Sequence, residues 1–393
     1  MAAMEDQPSL RGRDIVCIGF ADWDTELWTN QHHLMSRLAH DNHVLFVESL
    51  GLRQPQLARR DLTRIIRRLR RGLSPPRTLD GVHVLSPLIL PLHRYRIVRA
   101  LNRLLLSLRV RHAARQLGFS DPVLWGYVPQ AEILEGVLKP SLTIYHCVDD
   151  IAAQERIDTK SFREAEERYA GRASLVLASS PALAIRMREL SSNVLEVQNV
   201  ADTGLFATAL KDGPIDPTIA DLPKPRIVFT GAIVSIKLDF ALLVALARER
   251  PNFSFVLVGP VGPGDPHTDV SALEVEPNIH LLGSRTYTEL PDVLRAADVG
   301  LIPYLHSRLT ESIFPMKVYE YMAAGLPVIA TPLPALSGVQ WVTTAENASG
   351  MARLIDKALA GDGPERRAER SRAAREHSWE RRLQEIATAL QAL

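Results

Sequence analysis

The sequence predicts an α/β protein made of two doubly wound, Rossmann-like domains. At 393 residues the chain is too long for a single core of ordinary size. Apolar, β-branched runs of strand length alternate with amphipathic helical segments, which is the pattern of parallel sheets covered by helices. The alternation stops at the proline-rich stretch 211–225 and restarts at Arg226, so two such domains are expected.

The predicted segments are an N-terminal domain at 12–210, a linker at 211–225, a C-terminal domain at 226–375 and a terminal helix at 376–393. The first thirteen residues are polar and lack the apolar core of a signal peptide. Hydrophobic content of 46% is that of a globular protein, and no apolar run has the length of a membrane span. Cys17 and Cys147 lie inside apolar runs, which indicates buried, reduced thiols and a cytoplasmic protein.

The N-terminal domain opens with an apolar run, Asp14–Phe20, which suits a buried first strand. Ligands of doubly wound domains meet the loops at the carboxyl ends of strands, so Asp22, Trp28 and Asn30 stand at a binding position. The alternative is that the tryptophans of this loop only fill the interface between domains. Asp22-Trp23-Asp24 also matches a metal-binding Asp-x-Asp pattern, but three residues are too few to indicate a metal site, and none is predicted.

A basic block follows at 53–120. It holds 16 Arg, no Lys and only two acids, a local charge of +14 in a chain of net charge +1. In its second part, apolar residues recur at helical spacing between flanking arginines: Ile97, Leu101, Leu104, Leu105 and Leu108.

This pattern predicts that Arg59–Arg115 contacts an anionic membrane surface through basic amphipathic segments. Two alternatives stay open. The apolar side of the helix faces the protein core, or the block binds nucleic acid, which the lack of interleaved aromatic residues disfavours.

The run Leu142–Asp150 suits a strand with polar residues at its tip. A lone histidine such as His146 at a strand end is more often structural than ligand-binding. Asp149 and Asp150 are placed to orient it or to bind hydroxyl groups, and no metal-ligand spacing accompanies them.

Several strand-like runs of the C-terminal domain end in glycine, at Gly231, Gly259 and Gly283. Such endings bring backbone N–H groups to one edge of a sheet, as anion binding requires. The stretch 312–331 then predicts a loop, a helix at about 315–324 and a buried strand. Lys317 and Glu320 lie three residues apart on that helix and suit a polar, partly anionic ligand, the alternative being a surface ion pair.

The residues P-M-K-V-Y-E-Y-M-A-A-G-L-P-V-I-A-T, at 315–331, resemble the donor-site signature of retaining glycosyltransferases of the GT-B fold, close to glycosyltransferase family 4 (group 1). The resemblance implies two domains facing a central cleft, with the terminal helix crossing back to the N-terminal domain. It also implies that Glu320 holds the ribose hydroxyls of a nucleotide-sugar.

The resemblance further implies that Lys237 binds the diphosphate and that His146 contacts the transferred sugar. The arginine that often accompanies the lysine is absent from the loop 232–236, so Lys317 is expected to share the diphosphate. Ser312 stands where the family usually has a second glutamate, and Glu311 is one residue out of register.

The sequence thus predicts a glycosyltransferase that moves a sugar from a nucleotide-diphosphate-sugar to a glycan, lipid-linked or small-molecule acceptor in cell-envelope or exopolysaccharide synthesis. The predicted catalytic and donor-side residues are His146, Gly231, Lys237, Gly259, Gly283, Ser312, Lys317 and Glu320; the predicted acceptor-side residues are Asp22, Trp28, Asn30 and Asp149. No metal is expected, because lysines and backbone amides stabilise the leaving diphosphate. No cofactor and no nucleic-acid partner are expected either. The alternatives are a nucleotide-sugar epimerase and a non-catalytic nucleotide-sugar or lipid-binding relative.

Overall fold

The computed structural model describes residues 10–25, 27–50, 72, 74–90, 95–153 and 157–393. The chain divides into two compact units, Met1–Gln198 with Leu383–Leu393, and Asn199–Arg382. The division falls earlier than the predicted domain end at 210, so the segment 199–225 belongs to the second unit.

The first unit is built on an eight-stranded sheet of order β3-β4-β2-β1-β5-β6-β7-β8. Its strands are β1 Asp14–Ile18, β2 His43–Val47, β3 Arg77–Leu79, β4 Val82–Leu85, β5 Val123–Gly126, β6 Leu142–Cys147, β7 Leu175–Ala178 and β8 Val194–Glu196. All neighbours are parallel except the β3–β4 pair. The central strands read as unbroken apolar runs because both faces of a parallel sheet are covered.

The described helices of this unit are α1 Asn30–Leu38, α2 Arg96–Gln116, α3 Glu135–Leu138, α4 Thr159–Arg172 and α5 Pro181–Arg188. Side chains from both the sheet and the helices form its core. Val16 and Leu45 on neighbouring strands, Leu106 on α2 and Phe162 on α4 are all buried in it.

The second unit contains a six-stranded, fully parallel sheet of order β11-β10-β9-β12-β13-β14. Its strands are β9 Arg226–Thr230, β10 Ser254–Val258, β11 Ile279–Leu281, β12 Val299–Ile302, β13 Val328–Ala330 and β14 Val342–Thr344. Two α/β units with mainly parallel sheets confirm the predicted fold class.

The helices of the second unit are α6 Thr203–Phe206, α7 Pro217–Ala220, α8 Phe240–Glu249, α9 Ser271–Glu274, α10 Leu290–Arg295, α11 Arg308–Glu311, α12 Lys317–Ala323, α13 Ala348–Gly361 and α14 Pro364–Ala374. The last helix, α15 Trp379–Gln391, runs across the division between the units at Leu383.

The predicted linker 211–225 is an anchored part of the second unit. It contains α7, and Asp216 caps that helix by accepting a hydrogen bond from the N–H of Thr218 at 2.9 Å. The Asp216 carboxylate also pairs with Arg285 at 2.5 Å, and this contact lowers the pKa of Asp216 to about 2. The prolines of this stretch therefore shape a packed loop rather than a free connection.

Candidate active site

The carboxyl ends of β9, β10 and β11 lie side by side, and a predicted site glycine follows each of them. The N–H of Gly231 donates to the carbonyl of Val258 at 2.7 Å, and the N–H of Gly259 donates to the carbonyl of Gly283 at 2.9 Å. Both amides are therefore used at the edge of the sheet. The prediction that they serve as anion donors is corrected by this geometry.

What these glycines supply is space. A Cβ on Gly259 would lie 2.0 Å from the carbonyl oxygen of Gly231, and a Cβ on Gly231 would lie 2.6 Å from Nζ of Lys317. The φ values are also positive, 125° at Gly231 and 152° at Gly259, which disfavours any side chain at either position. The absent side chain of Gly231 lets the Lys317 ammonium lie across the end of β9, and the absent side chain of Gly259 leaves room for the backbone of Gly231.

Helix α12 carries the two charged residues of the predicted donor signature. It begins at Lys317, two residues after Pro315, and it ends before Gly325, whose φ of 78° is left-handed. The predicted helix is confirmed, one to two residues shorter at each end than expected. Lys317 and Glu320 thus lie in its first turn.

Tyr321 fixes α12 on the sheet. Its hydroxyl accepts a hydrogen bond from the N–H of Thr230, the last residue of β9, at 2.8 Å. Its ring lies over Gly300 of β12, where a Cβ would come within 2.3 Å of the ring. The position of Glu320, the preceding residue, is set by this contact.

Glu320 is a buried acid, with 6% of its surface exposed. Burial raises the pKa of Glu320, and the charge of Lys317 offsets part of that rise. Across the described part of the chain, no side-chain hydrogen bond and no ion pair reaches its carboxylate. The alternative of a surface ion pair with Lys317 is therefore wrong, and the buried carboxylate is available to a ligand that donates hydrogen bonds.

Two lysines lie on the segments around the end of β9. The Nζ atom of Lys317 lies 5.4 Å from the centre of the Phe229 ring, within cation–π range. Lys237 is half-buried in the loop after β9, and its carbonyl accepts a hydrogen bond from the N–H of Leu305 at 2.8 Å. Within the described residues neither ammonium group takes part in an ion pair, so both are available to an anion.

The loop before α12 holds Ser312, which is half-buried directly after α11, while the neighbouring Glu311 is exposed. Sequence reasoning missed what fixes this loop. Nδ2 of Asn199 donates to the carbonyl of Phe314 at 3.1 Å. The ring of Phe314 stacks on Tyr319 at 5.4 Å between ring centres.

Tyr319 in turn stacks on His377 at 4.0 Å between ring centres, with the rings only 11° apart. The three rings form one column within the second unit. The contacts of Asn199 with Phe314 and of Tyr319 with His377 join residues far apart in sequence, so no local pattern indicated them.

In the first unit, two predicted residues, Asn30 and His146, lie near the ends of β1, β5 and β6. The hydroxyl of Tyr127 donates to Oδ1 of Asn30 at 2.9 Å, and the Tyr127 ring stacks on His146 at 4.8 Å between ring centres. Asn30 is 5% exposed and His146 is 1% exposed. The structure thus brings Asn30 and His146 together through Tyr127, which the sequence did not single out.

Trp28 belongs to an aromatic cluster at the start of α1. It is half-buried and stacks on His32 at 5.8 Å between ring centres, and the ring centre of Trp23 lies 5.9 Å from that of Trp28. Nε2 of His32 lies 3.1 Å from the carbonyl oxygen of Asp22. Burial lowers the pKa of His32 to about 4, so this ring is neutral at ordinary pH.

In the segment Asp22-Trp23-Asp24, the second aspartate is held by an arginine. Asp24 pairs with Arg77 at 2.7 Å, and Arg77 also reaches the buried Glu48 at 3.2 Å. Among the described residues, no group of three or more His, Cys, Asp or Glu side chains is arranged to hold a metal ion.

Asp149 is half-buried after β6, beside a charged network that the sequence did not reveal. Glu166 on α4 is 1% exposed and accepts hydrogen bonds from the Tyr145 hydroxyl at 2.7 Å, from Arg163 at 2.8 Å and from Arg186. Arg163 also pairs with Asp150 at 2.5 Å. The network ties the loop that carries Asp149 to α4.

The segment that contains β9 to β14 matches a known protein family. Residues 224–361 match the family model of the group 1 glycosyl transferases. The chain carries a group 1 glycosyltransferase domain. Every predicted donor-site residue lies within this glycosyltransferase domain, and the predicted group is confirmed, while the numbered family stays a prediction.

Similar proteins agree with this assignment. TuaH of Bacillus subtilis (strain 168), named as a teichuronic acid biosynthesis glycosyltransferase, is 29% identical over 276 residues, 65% of this chain and 68% of TuaH. HepE of Anabaena, solved with UDP and glucose, has a TM-score of 0.64 at 18% identity, covering 96% of this chain and 99% of HepE. The trehalose 6-phosphate synthase of Burkholderia multivorans has a TM-score of 0.66 at 11% identity, covering 97% and 98%. The two structural likenesses confirm the GT-B fold of this glycosyltransferase.

The described helices of this glycosyltransferase include none that is both long enough and apolar enough to cross a membrane.

Proposed function

We propose that this glycosyltransferase takes a sugar from a nucleoside-diphosphate-sugar held by its C-terminal unit and transfers it to a glycan or lipid-linked acceptor in cell-envelope synthesis. The observation that carries the proposal is the buried Glu320 carboxylate, which has no hydrogen-bond or ion-pair partner among the described residues and lies one helical turn from Lys317. A vicinal diol and a diphosphate on one ligand satisfy both groups.

The chain's own residues have distinct tasks in this reaction. Glu320 accepts hydrogen bonds from the ribose hydroxyls. Lys317 and Lys237 stabilise the negative charge that develops on the departing diphosphate, which gives transition-state stabilisation without a metal ion. Gly231 keeps room for the Lys317 ammonium. Retention of the anomeric configuration, the half-buried Ser312 as a donor contact and the sugar contact of His146 rest on the family resemblance.

UDP is the first nucleotide to test, because HepE was solved with UDP and with UDP-glucose. An acceptor built into the cell envelope is supported by the similarity to TuaH. Half-buried Asp22, Trp28 and Asp149 with Asn30 form the proposed acceptor side, since all four lie in or after loops at the carboxyl ends of strands.

The test is to incubate the full chain with UDP-, GDP- and ADP-sugars and to measure the released nucleoside diphosphate and sugar by chromatography. Transferases commonly hydrolyse their donor slowly, so we expect release from one donor class. An isomerised nucleotide-sugar without release would instead identify an epimerase. Binding without any turnover, with or without candidate acceptors, would identify a non-catalytic relative.

We also propose that the protein works at the inner, cytoplasmic face of a membrane through α2. The solvent side of α2 carries an apolar stripe: Ile97 is 83% exposed, Leu101 41%, and Leu104 and Leu108 are each 55% exposed. Leu106, on the opposite side, is buried in the core. The predicted alternative, a helix whose whole apolar side faces the core, does not fit this exposure.

Exposed Arg111 and Arg115, three and seven positions after Leu108, continue the same side of the helix, which suits phosphate groups at the surface of an anionic bilayer. The first basic stretch, Arg59–Arg71, lies outside the described residues.

A further inference from the structure

The loop that carries Lys237 is braced by a second loop through one acid, Asp265. Asp265 follows β10 and is 6% exposed. Its carboxylate accepts hydrogen bonds from the Ser235 hydroxyl at 2.8 Å, from the Thr268 hydroxyl at 2.7 Å and from the N–H of His267 at 3.2 Å. The acid thus joins the loop after β9 to the loop after β10.

The bracing lies immediately before Lys237. The N–H of Ser235 donates to the Thr268 hydroxyl at 3.2 Å, and Ile236 donates its N–H to Asp265. On the other side of Lys237, its carbonyl accepts from the N–H of Leu305. The backbone of Lys237 is therefore fixed on both sides, although its side chain is not paired among the described residues.

Burial acts to raise the pKa of Asp265, but the hydrogen bonds from Thr268, Ser235, His267 and Ile236 outweigh it, so the pKa lies below its usual value. Asp265 is therefore ionised at neutral pH. A charged acceptor binds several donors more strongly than a neutral one.

We propose that Asp265 is a positioning residue of the donor site, which holds Lys237 where it meets the diphosphate of the nucleotide. The inference rests on the proposed function, because Asp265 has no contact with the ligand and acts only through Lys237, the proposed diphosphate-binding residue. Loss of Asp265 frees two backbone amides and two hydroxyls and lets the loop sample other conformations. Affinity should then fall mainly for ligands whose diphosphate contacts Lys237.

The experiment compares the affinities of UDP and UMP, measured by calorimetry, for the wild type, Asp265→Ala, Lys237→Ala and the double variant. We expect Asp265→Ala to weaken UDP binding about tenfold and UMP binding less than threefold. In the Lys237→Ala background, the further effect of Asp265→Ala on UDP should fall below twofold, since residues that act through one another are not additive.

Asp269→Ala is the matched control, because Asp269 is a nearby acid that caps Ser271 and does not touch the Lys237 loop. Ser235→Ala, which removes a single donor, keeps the test valid if Asp265→Ala does not fold, and it should weaken UDP about threefold. Three results would overturn the inference while leaving the proposed function intact: equal losses of UDP and UMP affinity, additive losses in the double variant, or a loss of UDP affinity in Asp269→Ala as large as that in Asp265→Ala. If Lys237→Ala and Glu320→Ala both leave UDP binding unchanged, the proposed function fails as well.

Discussion

At the level of single residues, the buried Glu320 makes nucleotide affinity depend on pH. Burial raises the pKa of Glu320, and ribose hydroxyls donate best to the ionised carboxylate. The UDP affinity of the wild type should therefore fall as the pH is lowered through this raised pKa. The measurement is the ratio of UDP affinities of the wild type and Glu320→Gln between pH 7.5 and 5, in which phosphate titration cancels. A ratio that is constant with pH would remove the ionised carboxylate from nucleotide binding.

His146 is the residue whose structural and chemical roles a single variant separates. Its ring packs on Tyr127 and lies 6.0 Å from Trp125, at 1% exposure. We expect His146→Ala to reduce the free energy of unfolding by about 2–4 kcal/mol, because a cavity forms and ring contacts are lost. Thermal unfolding and turnover with saturating donor are measured together.

Exposed His40 gives the control, since His40→Ala should change neither quantity. A hundredfold loss of turnover in the protein that remains folded would support the sugar contact that the family resemblance implies for His146, and turnover that falls only with the folded fraction would exclude it.

The residues that the sequence identified well are those with local signals. Lys317 and Glu320 stand in one short signature, and Pro315 and Gly325 mark the helix that carries them. Tyr321, Asp265 and Asn199 act through partners 30 to 115 positions away, such as Thr230, Ser235 and Phe314. A sequence without alignment holds no record of such pairs, so these supporting residues could not be predicted.

At the level of elements, α2 makes the sharpest prediction. Leu104→Gln combined with Leu108→Gln should weaken binding to vesicles that contain anionic lipid by about 2 kcal/mol, because two exposed side chains no longer enter the apolar layer. Binding of the wild type should also weaken as salt is raised, since exposed Arg111 and Arg115 contribute electrostatically. Sedimentation with vesicles measures both effects.

The control is Ile185→Gln, because Ile185 is 62% exposed on α5 of the same unit and has no flanking stripe of this kind. The membrane proposal fails if the wild type does not sediment with anionic vesicles at low salt, or if the control and the α2 variant behave alike.

The parallel strands of the two sheets were predicted best, because they are continuous apolar runs with clear ends. Shorter elements were missed. The hairpin of β3 and β4 has three and four residues inside the basic block, where charge obscures any alternation. The linker was misjudged because proline and acid content also suits a loop fixed by a partner, here Arg285 on Asp216. Composition does not reveal such a partner.

At the level of the whole molecule, the two units divide the predicted tasks. The second unit contains the family-matching segment and all donor-side residues, and the first contains the proposed acceptor residues and the α2 surface. The fold followed from alternation and length alone. The chemical assignment required the signature at 315–331, because a doubly wound fold hosts many activities.

The most direct test of the account is calorimetric titration of UDP into the full chain and into Glu320→Ala. Losing the buried acceptor of the ribose hydroxyls should cost about 2 kcal/mol, a roughly thirtyfold weaker dissociation constant. Glu311→Ala is the matched control, because that acid is exposed on the neighbouring helix and should leave UDP affinity unchanged. The account predicts a thirtyfold loss for Glu320→Ala alone, and an unchanged dissociation constant in that variant would contradict it.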